Sequence, residues 1–136
     1  MKKTVIASLT AGVVLLLVSL ALLYFLVAVF PNVAEEYFSP VFRWSDAGKD
    51  WMFYAHPFVL SFALKWFWER YKGLFTGSAL LRAFEVALVY GIVALLPVLW
   101  LTFSAIDISW QMVGSWLLYG ILQAFIAGII FAKINP

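Results

Sequence analysis

From Thr4 to Phe30 the chain runs for 27 residues without a single charge. A run of that length limits the fold more than any other feature, because a bilayer core about 30 Å thick takes roughly 20 apolar residues per helix. Three more long apolar segments follow, and with their flanks the helices are expected at about 4–30, 51–72, 79–103 and 109–132. The chain is 65% hydrophobic and only 12% charged, where an ordinary soluble domain carries about 25% charged residues. Transmembrane strands would alternate over about ten residues, and nothing here alternates. The expected fold is all-α: one integral membrane four-helix bundle over residues 1–136.

Met1-Lys2-Lys3 before an apolar run has the form of a secretory signal. A signal's apolar core is about 7–15 residues and ends at a small-x-small site. Here nine apolar residues follow the formal match Ser19-Leu20-Ala21. The reading is an uncleaved first helix.

Positive charge accumulates on the cytoplasmic side of membrane proteins. Lys2, Lys3, Lys65, Arg70, Lys72, Arg82 and Lys133 fall on one side of the expected bundle. Arg43 and Lys49 fall on the other, among Glu35, Glu36, Asp46, Asp50 and Asp107. Both termini are therefore expected inside, in the cell membrane of a bacterium (its inner membrane). Trp44, Trp51, Trp100 and Trp110 would mark the outer interface, and Trp66, Trp68 and Tyr71 the inner one. The net charge of +2 reflects this asymmetry and does not suggest nucleic-acid binding. With no cysteine in the chain, thiolate metal sites and cysteine nucleophiles are excluded.

Pro31 ends the first helix, and Asn32 to Asp50 reads as a loop or short helix on the outer surface. The second and third helices meet at a turn over Lys72 to Ser78, with Ser78 as a cap. Asp107 or Ser109 would cap the fourth helix.

Four ionisable residues lie within or beside apolar runs, where a charge at mid-membrane costs about 2.5–3.5 kcal/mol or more. Lys65 and Glu69 share a face of helix two, and Arg82 and Glu85 share a face of helix three. In an antiparallel hairpin Lys65 would meet Glu85 and Glu69 would meet Arg82. This ladder reads as a clip fixing register, with a proton or ion relay as the alternative.

Small residues recur every four positions at Ala83, Ala87 and Gly91, and again at Gly120, Ala124, Gly128 and Ala132. Such stripes let membrane helices approach closely. They place helix three between helices two and four, with a dimer as the alternative use of the helix-four stripe. Gln123 would bond a neighbouring helix at mid-depth.

Pro57 and Pro97 fall in the outer third of their helices, where each removes a backbone bond. Around them, His56, Tyr54, Ser61, Ser104 and Asp107 make a candidate outer pocket of the kind transporters build on broken helices. The alternative is one of isolated structural roles, with Asp107 a cap. A single histidine argues against the usual metal clusters. The set Ser104, His56 and Asp107 has no spacing that selects it as catalytic, and GxSxG is absent. No catalytic residue, metal or cofactor is assigned.

The lysine start, Tyr54-Ala55-His56-Pro57-Phe58 and Phe103-Ser104-Ala105-Ile106-Asp107 give a form similar to small uncharacterised four-helix proteins of bacterial inner membranes. That resemblance is architectural and implies no activity. The functional expectation is a non-enzymatic accessory, assembly or partner-binding subunit, homo-oligomeric or docked to a larger membrane protein. The alternative is a small transporter or channel component with the outward pocket. A membrane enzyme acting on a lipid-linked substrate ranks behind both.

Overall fold

A computed structural model describes residues 2–42, 48 and 50–136. Every regular element among them is helical: α1 Lys2–Val29, α2 Pro31–Glu36, α3 Trp51–Tyr71, α4 Ala79–Tyr90, a π-helical turn Gly91–Leu95, α5 Leu96–Ala105 and α6 Trp110–Ile134. Three rods are long and apolar enough to cross a membrane: α1, α4 continued through α5, and α6. This is consistent with a multi-pass membrane protein. The expectation of four such rods is met only in part, because α3 is long enough at 21 residues but less apolar, carrying His56, Lys65, Glu69 and Arg70. The charges expected of Arg43, Asp46 and Lys49, and the interfacial role of Trp44, lie outside the described residues.

Local chemistry sets the ends of these rods. Pro31, with φ suited to a first helical turn and no N–H to lose, opens α2 directly after α1. Ser78 Oγ accepts from the Leu81 N–H at 3.4 Å, and Ser109 Oγ from the Met112 N–H at 3.1 Å. Of the two caps expected for α6, Ser109 is the one used. Before Pro97 the helix widens into the π turn, where the Leu96 N–H bonds the Gly91 carbonyl five residues back. That wider turn takes up the ring's clash with the fourth carbonyl back, so the rod continues where an α-helix would break.

The rods are arranged around α6, which touches every other element. Its largest interface is with α4, while α3 packs chiefly on α1. The expected order, with helix three between helices two and four, is therefore corrected: α3 and α4 do not form a packed pair. Small residues explain the choice. A Cβ added to Gly128 would lie 2.8 Å from the Ala83 Cα, so the two backbones are in contact there. On the opposite side of the molecule the Phe58 ring lies over Gly12, within 2.5 Å of where a Cβ would stand. Ala7, Ala11, Leu15 and Ser19, each four apart, are buried along the same face of α1.

Thr4 and Asn135 both bond Glu69, so the start of α1 and the ends of α3 and α6 share one end of the molecule. This is the basic end of the molecule, with Lys2, Lys3, Arg70, Lys72 and Lys133. The far end carries α2, the start of α3 and the start of α6.

Candidate functional site

At the basic end Glu69 is a hub. Its carboxylate lies 2.7 Å from Lys65 Nζ and 3.5 Å from Lys72 Nζ. It also accepts from Thr4 Oγ1 at 3.4 Å and from the Asn135 amide. Trp68 Nε1 donates to the Asn135 carbonyl at 2.9 Å. Arg82 donates to the Lys72 carbonyl at 3.3 Å, and its guanidinium lies 4.7 Å from the centre of the Trp68 ring. Lys65, 1% exposed, has Nζ 5.2 Å from the centre of the Phe131 ring. The ladder Lys65–Glu85 and Glu69–Arg82 does not form. The last turns of α6, with Phe131 and Asn135, stand beside α3 where α4 was expected. Glu85 is left with a buried Oε2 that has no hydrogen-bond partner.

The five residues of the expected outer pocket are not brought together. Tyr54 and His56 are exposed, and Ser61 is buried with its hydroxyl donated to the Phe58 carbonyl at 2.9 Å. Ser104 donates to the Leu101 carbonyl at 2.8 Å, and Asp107 is exposed. The reason is again helix order: α3 packs on α1 and α6, and α5 packs on α6. No hydrogen bond joins Ser104, His56 and Asp107, so no catalytic set is assembled from them.

The packing stripes do meet a partner helix. Ala83, Ala87, Gly91, Gly120, Ala124 and Gly128 are all buried. Gly128 abuts Ala83, Gly91 faces Ile121, and Gly120 faces Leu95. Gln123 bonds across to α1: its Nε2 donates to Ser19 Oγ at 3.3 Å and to Tyr119 OH at 2.8 Å. Ser19 donates to the Leu15 carbonyl at 2.7 Å. The 2.5 Å contact between Ser19 and Tyr119 therefore takes the tyrosine's proton, since the serine's is spent.

A crevice of about 640 Å³ lies elsewhere, between α1 and the far half of α6. It is walled on one side by Leu22, Leu23, Leu26 and Phe30 and on the other by Gly114, Leu118 and Leu122. Ser19 and Tyr119 line its deep end, and Tyr37, Trp110, Gln111 and Trp116 its rim. Among the described residues, no Asp, Glu, Lys, Arg or His lines it. Its rim is braced by α2 and the turn after it. Glu36 accepts from the Ser109 N–H at 2.5 Å and from the Ser109 hydroxyl at 2.6 Å, and Trp116 Nε1 donates to Tyr37 OH at 2.6 Å. A carboxylate at a helix N-terminus is favourably placed, so these bonds fasten α2 to the start of α6. A second hollow of about 180 Å³ lies between α5 and α6 and shares Trp110 and Gly114 with the first.

Sequence reasoning missed this crevice. Its signal was negative: the last third of α1 carries large side chains at nearly every position, with none of the small-residue spacing that closes a helix pair. Comparison with protein-family models, with curated proteins and with solved structures finds no match to the chain.

Proposed function

We propose that the chain is a four-span protein of a bacterial inner membrane, both termini cytoplasmic, acting as a non-enzymatic accessory subunit that binds a membrane component in the α1–α6 crevice. The 21 residues of α3 make a rod of about 32 Å, enough to cross the hydrocarbon core beside the other three. The gathering of lysine and arginine at one end supports the orientation. The single observation that carries the binding reading is the crevice itself: about 640 Å³, within the roughly 300–1,000 Å³ usual for ligand sites. The helix-six stripe is buried inside the protomer against α4, which leaves the crevice and the exposed rods as the surfaces for a partner.

Two measurements test this. Reporter fusions at the C-terminus should report a cytoplasmic end, and a periplasmic end would remove the topology. Native mass spectrometry of the full chain released from mild detergent should show a retained adduct. A bare protomer under every gentle condition would remove the binding reading. A transport component remains the second reading on one observation, the buried and unpartnered Oε2 of Glu85. It requires that Glu85→Gln abolish an ion flux across vesicles containing the wild-type chain.

A further inference from the structure

The crevice is long, narrow and neutral, and those three properties together select an occupant. Along α1 it runs from Phe30 to Ser19, and along α6 from Trp110 to Leu122. These spans of 12 and 13 residues, 11 and 12 steps of 1.5 Å, are about 16 and 18 Å long. Half of a 30 Å hydrocarbon core is about 15 Å, so the crevice is one leaflet deep.

A strand of methylenes fits a crevice of that length and of about 640 Å³. The chemistry agrees with the size. Among the described residues none that is charged lines the walls, and burying an uncompensated polar group against them is costly.

The deep end also offers nothing to a polar tip, since the hydroxyl protons of Ser19 and Tyr119 are already committed. Ser115 donates to the Met112 carbonyl at 2.7 Å, which withdraws the remaining wall hydroxyl. Only the rim is polar. There Trp110, Gln111 and Tyr37 sit beside Glu36, whose carboxylate adds negative charge at the mouth.

We propose that the crevice between α1 and α6 holds one acyl chain of a zwitterionic phospholipid, tail end toward Ser19 and Tyr119 and headgroup at the rim formed by Trp110, Gln111 and Tyr37. The inference rests on the membrane-embedded binding reading above and names its ligand. The apolar walls receive the chain, and the carboxylate at the mouth disfavours an anionic headgroup.

Gly114 supplies the means of testing it. It lines the crevice, and a Cβ added there meets nothing within 4 Å. The full chain is placed in nanodiscs of equal phosphatidylethanolamine and phosphatidylglycerol, and native mass spectrometry counts the lipids kept after the disc is stripped. Wild type should keep one phosphatidylethanolamine, and Gly114→Trp should lose it. Leu101→Trp, on an α5 side chain 68% exposed outside the crevice, should keep it. If Gly114→Trp does not fold, Leu23→Trp blocks the same space from the α1 wall and should lose the lipid in its place.

Retention unchanged in the folded blocking variant, or a kept lipid that is chiefly phosphatidylglycerol, would overturn the inference. A retained second copy or other non-lipid adduct would overturn it while leaving the binding reading intact. No adduct of any kind removes both.

Discussion

At the basic end Gly128 brings α6 into backbone contact with α4, and Glu69 ties α1, α3 and α6 through Thr4, Lys65 and Asn135. At the far end the same rods stand apart, with hollows of about 640 and 180 Å³ on either side of α6. Apolar side chains pack the helix contacts at the basic end and wall the crevice at the far end, so hydrophobicity alone does not separate them. Side-chain size does. Ala83, Ala87, Gly120, Ala124 and Gly128 are thin enough for rods to close, whereas Phe25, Phe30, Trp100, Trp110 and Trp116 line the hollows. Between apolar rods in lipid there is no hydrophobic drive to close a gap, and contact must come from packing and hydrogen bonds. The far half keeps its crevice for that reason, and α2 braces the mouth instead of filling it.

The most severe way to break the contrast is to enlarge Gly128. Gly128→Leu drives a side chain into the backbone of Ala83 and should destabilise the chain by about 3 kcal/mol or more, at the upper end of overpacking effects. Thermal unfolding in detergent should show this as a large loss of midpoint, and an unchanged midpoint would mean that α4 and α6 are not in contact. Next comes Glu69→Ala, which strands Lys65, only 1% exposed, without its counter-charge. Removing one partner of a fully buried pair costs about 3–5 kcal/mol. Glu69 is 31% exposed, so about 2 kcal/mol is expected, together with faster amide exchange near Asn135.

A smaller effect tests the boundary between the halves. Gln123→Leu removes the amide bonds to Ser19 and Tyr119 and should cost about 0.6–1.7 kcal/mol, the range measured for interhelical bonds in membranes. Denaturant titration should resolve it, with most of the loss shared by Ser19→Ala because the two changes cut one network. Smallest of all is Gly114→Leu in the open half. It should leave stability unchanged or raise it by up to about 1 kcal/mol through helix propensity. A loss as large as that of Gly128→Leu would show the far half to be as tightly packed as the basic end, which would sink the comparison.

Much of the architecture could be read along the chain. The helix ends at Pro31, Ser78 and Ser109 were legible because caps and proline act locally, on atoms within one turn. The stripe from Ala83 to Gly91 was legible as a contact surface, since close approach needs small residues wherever the partner stands. The stripe on α1, in Ala7-Ala11 and Ser8-Gly12, is present in the sequence as well, but it lies inside a run whose apolarity already accounts for it. The proposed pocket of His56, Ser104 and Asp107 failed for a different cause. Equal depth in the membrane says how far along a rod a residue sits, and not which rod stands beside it.

Sequence alone determined the helical class, the apolar rods and the gathering of positive charge toward one end, because each follows from properties of consecutive residues. It also carried the small-residue faces that make close packing possible. Only the tertiary structure decided which faces met. Hairpin order favoured α3 beside α4. Yet backbone contact through Gly128 and the ring of Phe58 over Gly12 drew α4 to α6 and α3 to α1. That choice left Glu85 Oε2 without a hydrogen-bond partner, gave Asn135 to Glu69, and opened the crevice between α1 and α6. Helix neighbours are set by the fit of whole surfaces, and that fit is a property of pairs of rods that no single stretch of residues contains.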